Sequence, residues 1–217
     1  MDFARLMEVA LETILMVVTS TVIAYIIGLP VGVLLYYTSK KGLKPNRVIN
    51  MIVGTIVNVF RSIPCLLLII ILIDVTSALV GDWVGSWETM IVPLVVASFG
   101  FIARMVEQSL SEVPSGVVEA SRAMGASNWQ IILKVLLPEA KPSLVSGFAV
   151  AVVSIVGYTA FSGYISAGGL ISEGFNSGYY GSNTTMMWLC VLCVVIIVQI
   201  IQEGGLYIAK KLDKRRK

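Results

Sequence analysis

The chain has 217 residues, of which 57% are hydrophobic and only 13% charged, with a formal net charge of +3 and a mean hydropathy of +0.88. Soluble domains carry roughly a quarter charged residues, so a water-soluble core is excluded. The apolar surplus falls in charge-free blocks, each near or above the ~20 residues that a helix needs to cross the hydrocarbon at about 1.5 Å per residue.

The start, Met1 to Arg5, lacks the basic region of a secretory signal, and the first apolar block is too long for one, so a retained helix is expected. Thr13 to Ser39 holds no charged residue and predicts a helix over 13–37. It ends at Lys40, Lys41, Lys44 and Arg47, a cationic cluster of the kind that marks a cytoplasmic loop. A second helix is expected over 48–73. It contains Arg61 and is interrupted by Pro64. The cation-free stretch from Asp74 to Glu88, with Trp83 and Trp87, reads as an outer loop.

A third helix over 89–110 runs through Arg104 and Glu107 into the polar segment 111–141. Lys141 to Glu173 and Glu173 to Glu203 are again free of charge and predict helices over 142–162 and 185–207, joined by a Gly-, Ser- and Asn-rich outer loop. A basic tail over 208–217 closes the chain.

Of the 16 Lys and Arg residues, four lie in the first loop, three are Arg122, Lys134 and Lys141, and six stand in the tail, leaving only Arg5, Arg61 and Arg104. The positive-inside rule then puts the N-terminus outside and the C-terminus in the cytoplasm, as five spans require. Trp83, Trp87, Tyr179, Tyr180 and Trp188 fall at the outer interface, and Tyr36, Tyr37 and Tyr207 at the inner one. The expected fold is an all-α integral membrane protein.

Within 111–141, Val117, Ala120 and Met124 form an apolar stripe at helical spacing, and Gly125 breaks that helix. Ser127 and Gln130 have capping-box spacing for a second helix, whose stripe is Ile131, Ile132, Val135 and Leu136 and whose end is expected at Pro138. A kinked helix pair between two spans suits the transfer of force from a moving partner. A solvated loop lying on the membrane would have the same amphipathicity.

Arg104 and Glu107 stand at i, i+3 and can pair. A charge at mid-bilayer is costly by about 2.5 kcal/mol or more, so Arg61 and Arg104 must face protein, water or the interface, with a structural ion pair or a gating contact as the alternatives. Gly28 with Gly32, and Gly147 with Ala151, have the spacing of close helix packing, within one subunit or between two. Ser154, Gly157, Tyr158, Thr159 and Ser162 offer small and weakly polar groups for a solute pathway, or interhelical hydrogen bonds only. The i, i+3 pair Cys190 and Cys193 merely shares a helix face, and neither a disulfide framework nor a metal site is indicated.

The order Glu119-Ala120-Ser121, Gly125, then Val135-Leu136-Leu137-Pro138 resembles the loop signature of ABC-importer permeases: Glu-Ala-Ala, three residues, Gly, nine residues, Ile, one residue, Leu-Pro. Ser121 stands where the pattern has Ala, and Val135 where it has Ile. Phe60 to Pro64, Phe101 to Glu107, Lys134 to Ala140, Gly157-Tyr158 and Ala167 to Leu170 extend the likeness to the methionine-importer permeases. It weakens at the N-terminus, in the loop 74–88 and after Ser172.

The resemblance implies a type I importer permease domain over 13–204 and an ATPase-coupling set of Glu119, Ala120, Ser121, Arg122, Ala123, Met124, Gly125, Ala126, Leu137 and Pro138. It further implies a homodimer in the bacterial plasma (inner) membrane, a separate ATP-binding-cassette ATPase dimer carrying ATP and Mg, and an extracytoplasmic methionine-binding protein. The cargo implied is L-methionine, with D-methionine as a second candidate. No catalytic residue, metal or cofactor is expected on this chain, and no nucleic-acid partner. A permease for another small amino acid is the runner-up. A membrane-embedded enzyme lacks a His, metal or Ser/Lys constellation here, and a stand-alone secondary transporter would normally carry intramembrane carboxylates.

Overall fold

A chain dissolved in lipid must satisfy its backbone polar groups internally, and among the described residues all regular structure is helical. The computed structural model describes residues 3–81 and 85–213. Trp83 and the tail residues Lys214, Arg215, Arg216 and Lys217 lie outside the described residues. Four helices are long and apolar enough to span a membrane, or five when one bent pair counts as a single span.

Helix α1 (Phe3–Thr38) begins well before the expected residue 13. Its first turns carry Arg5, Glu8 and Glu12, which mark the edge of the hydrocarbon and not the end of the helix. Arg5 pairs with Glu8 at 3.0 Å and with Glu173 at 3.2 Å.

Helix α2 (Arg47–Ser62) is opened by Asn46, whose side chain accepts from the N–H groups of Val48 and Ile49, each at 3.1 Å. The expected single helix over 48–73 is broken: α2 and α3 (Cys65–Ile71) meet at 94°. Pro64 is the cause, since it has no N–H to donate and holds Ile63 in extended backbone at φ −77°, ψ 123°. Helix α4 (Ile73–Val80) then occupies residues expected to open the outer loop. Asp74 sits in its first turn, where the helix dipole favours an acid.

A tight turn over Trp87–Met90 leads into α5 (Ile91–Ser111), and two short helices follow, α6 (Ser115–Ala123) and α7 (Asn128–Ile131). Pro138 was expected to end the second loop helix, yet Asn128–Ile165 is one helical rod. A wide π turn over Ile132–Leu136 precedes α8 (Leu137–Tyr158) and supplies the extra residue that moves the ladder past the missing N–H of Pro138. The rod tightens over Thr159–Ile165.

The expected outer loop is also folded, as α9 (Gly169–Glu173) and a wide turn Gly174–Tyr180. Helix α10 (Thr184–Leu212), capped by Asn183, continues past 207 and takes Lys210 and Lys211 into its last turn, where cations offset the helix dipole.

Helix α5 is the hub and packs against α1, α2, α3 and α8. Its approach to α1 leaves no room for a side chain at Gly28 or Gly32. A methyl group at Gly32 would lie 2.5 Å from the Ala103 carbonyl oxygen and 2.6 Å from Val106 Cβ, and one at Gly28 would lie 2.7 Å from Ile102 Cγ2. Gly147 on α8 makes the same room for Met105. Both glycine spacings noted in the sequence therefore serve contacts within one chain.

The interhelical loops gather at two ends. Arg122 donates to the Leu43 carbonyl oxygen at 2.6 Å, which ties segment 111–141 to the first basic loop at the cytoplasmic end. At the other end Arg5, Glu12, Trp87, Gly168 and Glu173 line one polar recess.

Overpacking a close backbone contact costs about 1–3 kcal/mol, so Gly32→Ala is expected to lower the thermal midpoint of the purified protein. Gly204→Ala on α10, where a methyl meets nothing within 4 Å, is expected to leave it unchanged or raise it. Differential scanning fluorimetry of the two variants side by side checks this.

Candidate coupling surface and membrane face

The sequence around Gly125 folds into two capped helices joined by a fixed elbow. The glycine adopts φ +82°, a conformation in which a side chain is strained. Its N–H donates to the Arg122 carbonyl oxygen at 2.9 Å, and the Ala126 N–H donates to that of Ser121 at 3.1 Å. These two bonds are the paired closure of a Schellman motif at the end of α6. Two residues on, Ser127 and Gln130 cap α7 reciprocally: the Ser127 N–H donates to Gln130 Oε1 at 2.8 Å and the Gln130 N–H to Ser127 Oγ at 3.4 Å. The orphan N–H and C=O groups at the elbow are thus used to fix its angle.

The two stripes read from the sequence face opposite ways. Ile131, Ile132 and Leu136 are buried, in one cluster with Tyr36, Val106 and Leu110. The stripe of α6 is instead turned outward and uncovered, with Val117 at 37% and Met124 at 81% exposure. Glu119, Ala120, Ala123 and Gly125 share that open surface.

Of the rest of the expected set, Ser121, Ala126 and Leu137 are turned to the chain itself, while Arg122 and Pro138 are exposed. Ser121 is buried, and its hydroxyl donates to the Val117 carbonyl oxygen at 2.8 Å. Arg122 is held by Leu43. Ala126 and Leu137 pack against the core, and Pro138 lies on the rod beyond the π turn.

On the membrane face, Arg104 donates to Glu107 Oε2 at 2.8 Å, to the Gly54 carbonyl oxygen at 3.1 Å and to Asn58 Oδ1 at 3.0 Å. The expected i, i+3 ion pair is present within α5, and the bonds of Arg104 to Gly54 and Asn58 stitch α5 to α2. Arg61 makes no ion pair or hydrogen bond among the described residues and is exposed, its stem lying across Gly100.

The five small or weakly polar residues proposed from sequence for a pathway are divided. Thr159 and Ser162 are buried, at 2% and 1% exposure. Ser154 and Tyr158 are partly open, and Gly157 is fully open. Ser154 and Thr159 donate back to the Val150 and Val156 carbonyl oxygens, at 2.9 and 2.7 Å.

Sequence reasoning missed the latch at the outer end. Glu12 Oε2 accepts from the Gly169 N–H at 2.7 Å, and Thr13 Oγ1 accepts from the Leu170 N–H at 2.8 Å. Both cap α9 from a helix 157 residues away in sequence. Gly168 and Gly169 hold φ +70° and +80°, so the doublet was the available signal.

The chain thus combines membrane-spanning helices, a fixed elbow at the cytoplasmic end and an uncovered apolar stripe on α6. The chain belongs to the family described as binding-protein-dependent transport system inner membrane components, whose model matches residues 28–214. It is 38% identical to the probable D-methionine transport system permease of Vibrio cholerae over 94% of this chain and 90% of that one. It is 42% identical to the methionine import system permease of Bacillus subtilis over 84% and 82% of the two chains. Among solved structures it superposes on an inward-facing conformation of the MetNI methionine ABC transporter with a TM-score of 0.94, at 42% identity and covering 98% of both chains. An amino acid ABC transporter at 17% identity and TM-score 0.64 shares the fold.

Replacing a cap costs typically about 1 kcal/mol. Glu12→Ala with Thr13→Val is therefore expected to raise hydrogen exchange at the Gly169 and Leu170 amides while the amides of α5 keep their protection. Exchange followed by mass spectrometry reads both regions in one experiment.

Proposed function

We propose that this chain is the membrane permease of an ATP-driven methionine importer. It acts as a homodimer with a separate pair of ATP-binding-cassette ATPases and receives its cargo from an extracytoplasmic binding protein. The observation that carries the reading is the elbow at Gly125: it holds the uncovered apolar stripe of α6 at a fixed angle to α7, the helix that continues directly into a membrane span. L-methionine is the cargo, with D-methionine accepted as well, as the names of the relatives suggest.

On this reading the ATPase receives Val117, Ala120, Ala123 and Met124, with Glu119 and Gly125 at the rim. Burying a Met side chain stabilises a contact by about 2 kcal/mol, so the exposed Met124 is the principal apolar anchor. Ser121, Arg122 and Ala126 hold the elbow in place behind the docking surface, and Leu137 and Pro138 carry its motion into α8.

ATP and Mg bind and react on the partner subunit. ATP-driven closure of the ATPases draws the two α6 helices together and opens the path outward, and hydrolysis reverses the change. This is alternating access, with the partners biasing two pre-existing states. Moving the population from 1:99 to 99:1 needs about 5.5 kcal/mol of differential binding, which a rigid elbow transmits and a floppy loop would dissipate.

Radiolabelled L-methionine uptake into proteoliposomes holding this chain, its ATPase and its binding protein tests the reading. ATP-dependent uptake that unlabelled methionine competes away is expected. ATP-dependent uptake of a different amino acid would discard methionine and keep the importer, and uptake indifferent to ATP would discard both. Gly125→Pro removes the bonded N–H and demands φ near −65° in place of +82°, so uptake is expected to fall at least tenfold while insertion into the membrane persists. Wild-type uptake by this variant would contradict the role of the elbow.

A further inference from the structure

Behind the elbow, a groove runs between α1 and the rod that begins with α7. Its cavity of about 320 Å³ has Pro30, Val33 and Leu34 of α1 on one wall and Trp129, Leu133 and Leu137, at i, i+4 and i+8, on the other. No charged residue lines it. Trp129 is 71% and Leu133 59% exposed, so the two largest groups of the second wall have no cover from the chain itself. The walls are tethered beyond both ends of the groove. Asn128 Nδ2 donates to Tyr37 Oη at 3.4 Å on the cytoplasmic side, and Tyr25 Oη donates to the Leu144 carbonyl oxygen at 3.0 Å deeper in the membrane.

The depth of the groove limits what can fill it. The charge-free run of α1 starts at Thr13, just after Glu12, and a hydrocarbon layer of about 30 Å takes about 20 residues at about 1.5 Å each. The inner edge of the hydrocarbon then falls near Val33, in the middle of the groove. Its Pro30 and Leu137 end lies among acyl chains, and its Tyr37 and Trp129 end lies among headgroups. A water-soluble partner reaches only the second end, whereas a phospholipid has parts suited to both. The charge around the groove is positive. Lys40, three residues past Tyr37, and Lys134, next to Leu133, are exposed and make no ion pair among the described residues. Glu139, the nearest acid along the rod, lines a separate recess with Ser109, Ser143 and Lys210.

We propose that this groove binds an anionic phospholipid of the cytoplasmic leaflet, with one acyl chain between α1 and the rod and the phosphate at Lys134 and Lys40. Long lysine stems run along apolar surface and carry their ammonium groups to the headgroup level. Anionic lipids concentrate at basic segments beside a membrane, and an indole suits the boundary between chain and headgroup. The bound chain fills the space beside the π turn, where α7 runs into α8. Binding does not depend on which solute the protein carries.

The test uses the complete complex of permease and ATPase in phosphatidylcholine vesicles. These are doped with a trace of phosphatidylglycerol, or of phosphatidylcholine, that bears a photoactivatable diazirine in one acyl chain. Labelled residues are mapped by mass spectrometry, with Ile200, exposed on α10, as the reference for passing lipid. The phosphatidylglycerol probe is expected to label residues 129–137 several-fold more than the phosphatidylcholine probe does, while the two label Ile200 equally. Lys134→Gln is expected to bring groove labelling by phosphatidylglycerol down to the phosphatidylcholine level. Leu133→Trp, which enlarges a side chain inside the groove, is expected to lower labelling there by both probes and to leave Ile200 unchanged. Equal labelling of the wild-type groove by the two probes would mean passing lipid only and would overturn the proposal. So would labelling that is present in the permease alone and absent from the complete complex, since a protein partner then covers the groove. An undiminished preference for phosphatidylglycerol in Lys134→Gln would overturn the placing of the phosphate.

Discussion

The close contact of α1 with α5 is the constraint on which the rest of the molecule depends. Gly28 and Gly32 present bare backbone to Ile102, Ala103 and Val106 of α5, and in lipid such close packing supplies much of what holds helices together. With α1 fixed on one side of α5 and Met105 seated against Gly147 of α8 on the other, α5 is free to present Arg104 and Gly100 to α2. The position of α2, held by the bonds of Arg104 to Gly54 and Asn58, follows from that arrangement.

The same hub joins the cytoplasmic elbow to the membrane. Ile131 and Leu136 share a buried cluster with Val106 and Leu110 of α5, and the π turn before Pro138 lets α7 run into α8 without a hinge. On the proposed coupling, a push on α6 would be delivered to α8 and α5 through these packed helices. At the opposite end Glu12 and Thr13 bind α9 to α1, which packs along α5.

The helical class, the spans and the elbow were legible because each has a local cause. Runs without charge mark the hydrocarbon, cations mark the cytoplasmic side, and Gly125 with Ser127 and Gln130 carries its own capping chemistry. What escaped depends on distance in sequence. Glu12 looked like the polar edge of a span, and only the fold reveals that its carboxylate caps Gly169. Pro138 looked like a stop because the wider turn that absorbs it has no signature in residue type. The stretch from Ser162 to Thr184 reads as loop by its Gly, Ser and Asn content, yet packing against α1 and α10 makes it helical. Within the expected coupling set, spacing does not say which side is open: Met124 faces out, while Ser121 is buried and Arg122 bonds the Leu43 carbonyl oxygen.

If force from ATP enters through α6, the two copies of that helix must approach one another during the cycle. The most direct measurement is their distance in the assembled complex, read by electron–electron double resonance with a spin label at Gly116→Cys in a background lacking Cys65, Cys190 and Cys193. Gly116 lies beside the docking stripe, and a side chain there meets nothing within 4 Å. The separation is expected to shorten by several ångströms when ATP is bound and to recover after hydrolysis. A separation that stays constant while the complex hydrolyses ATP and imports its cargo would contradict entry of force through α6.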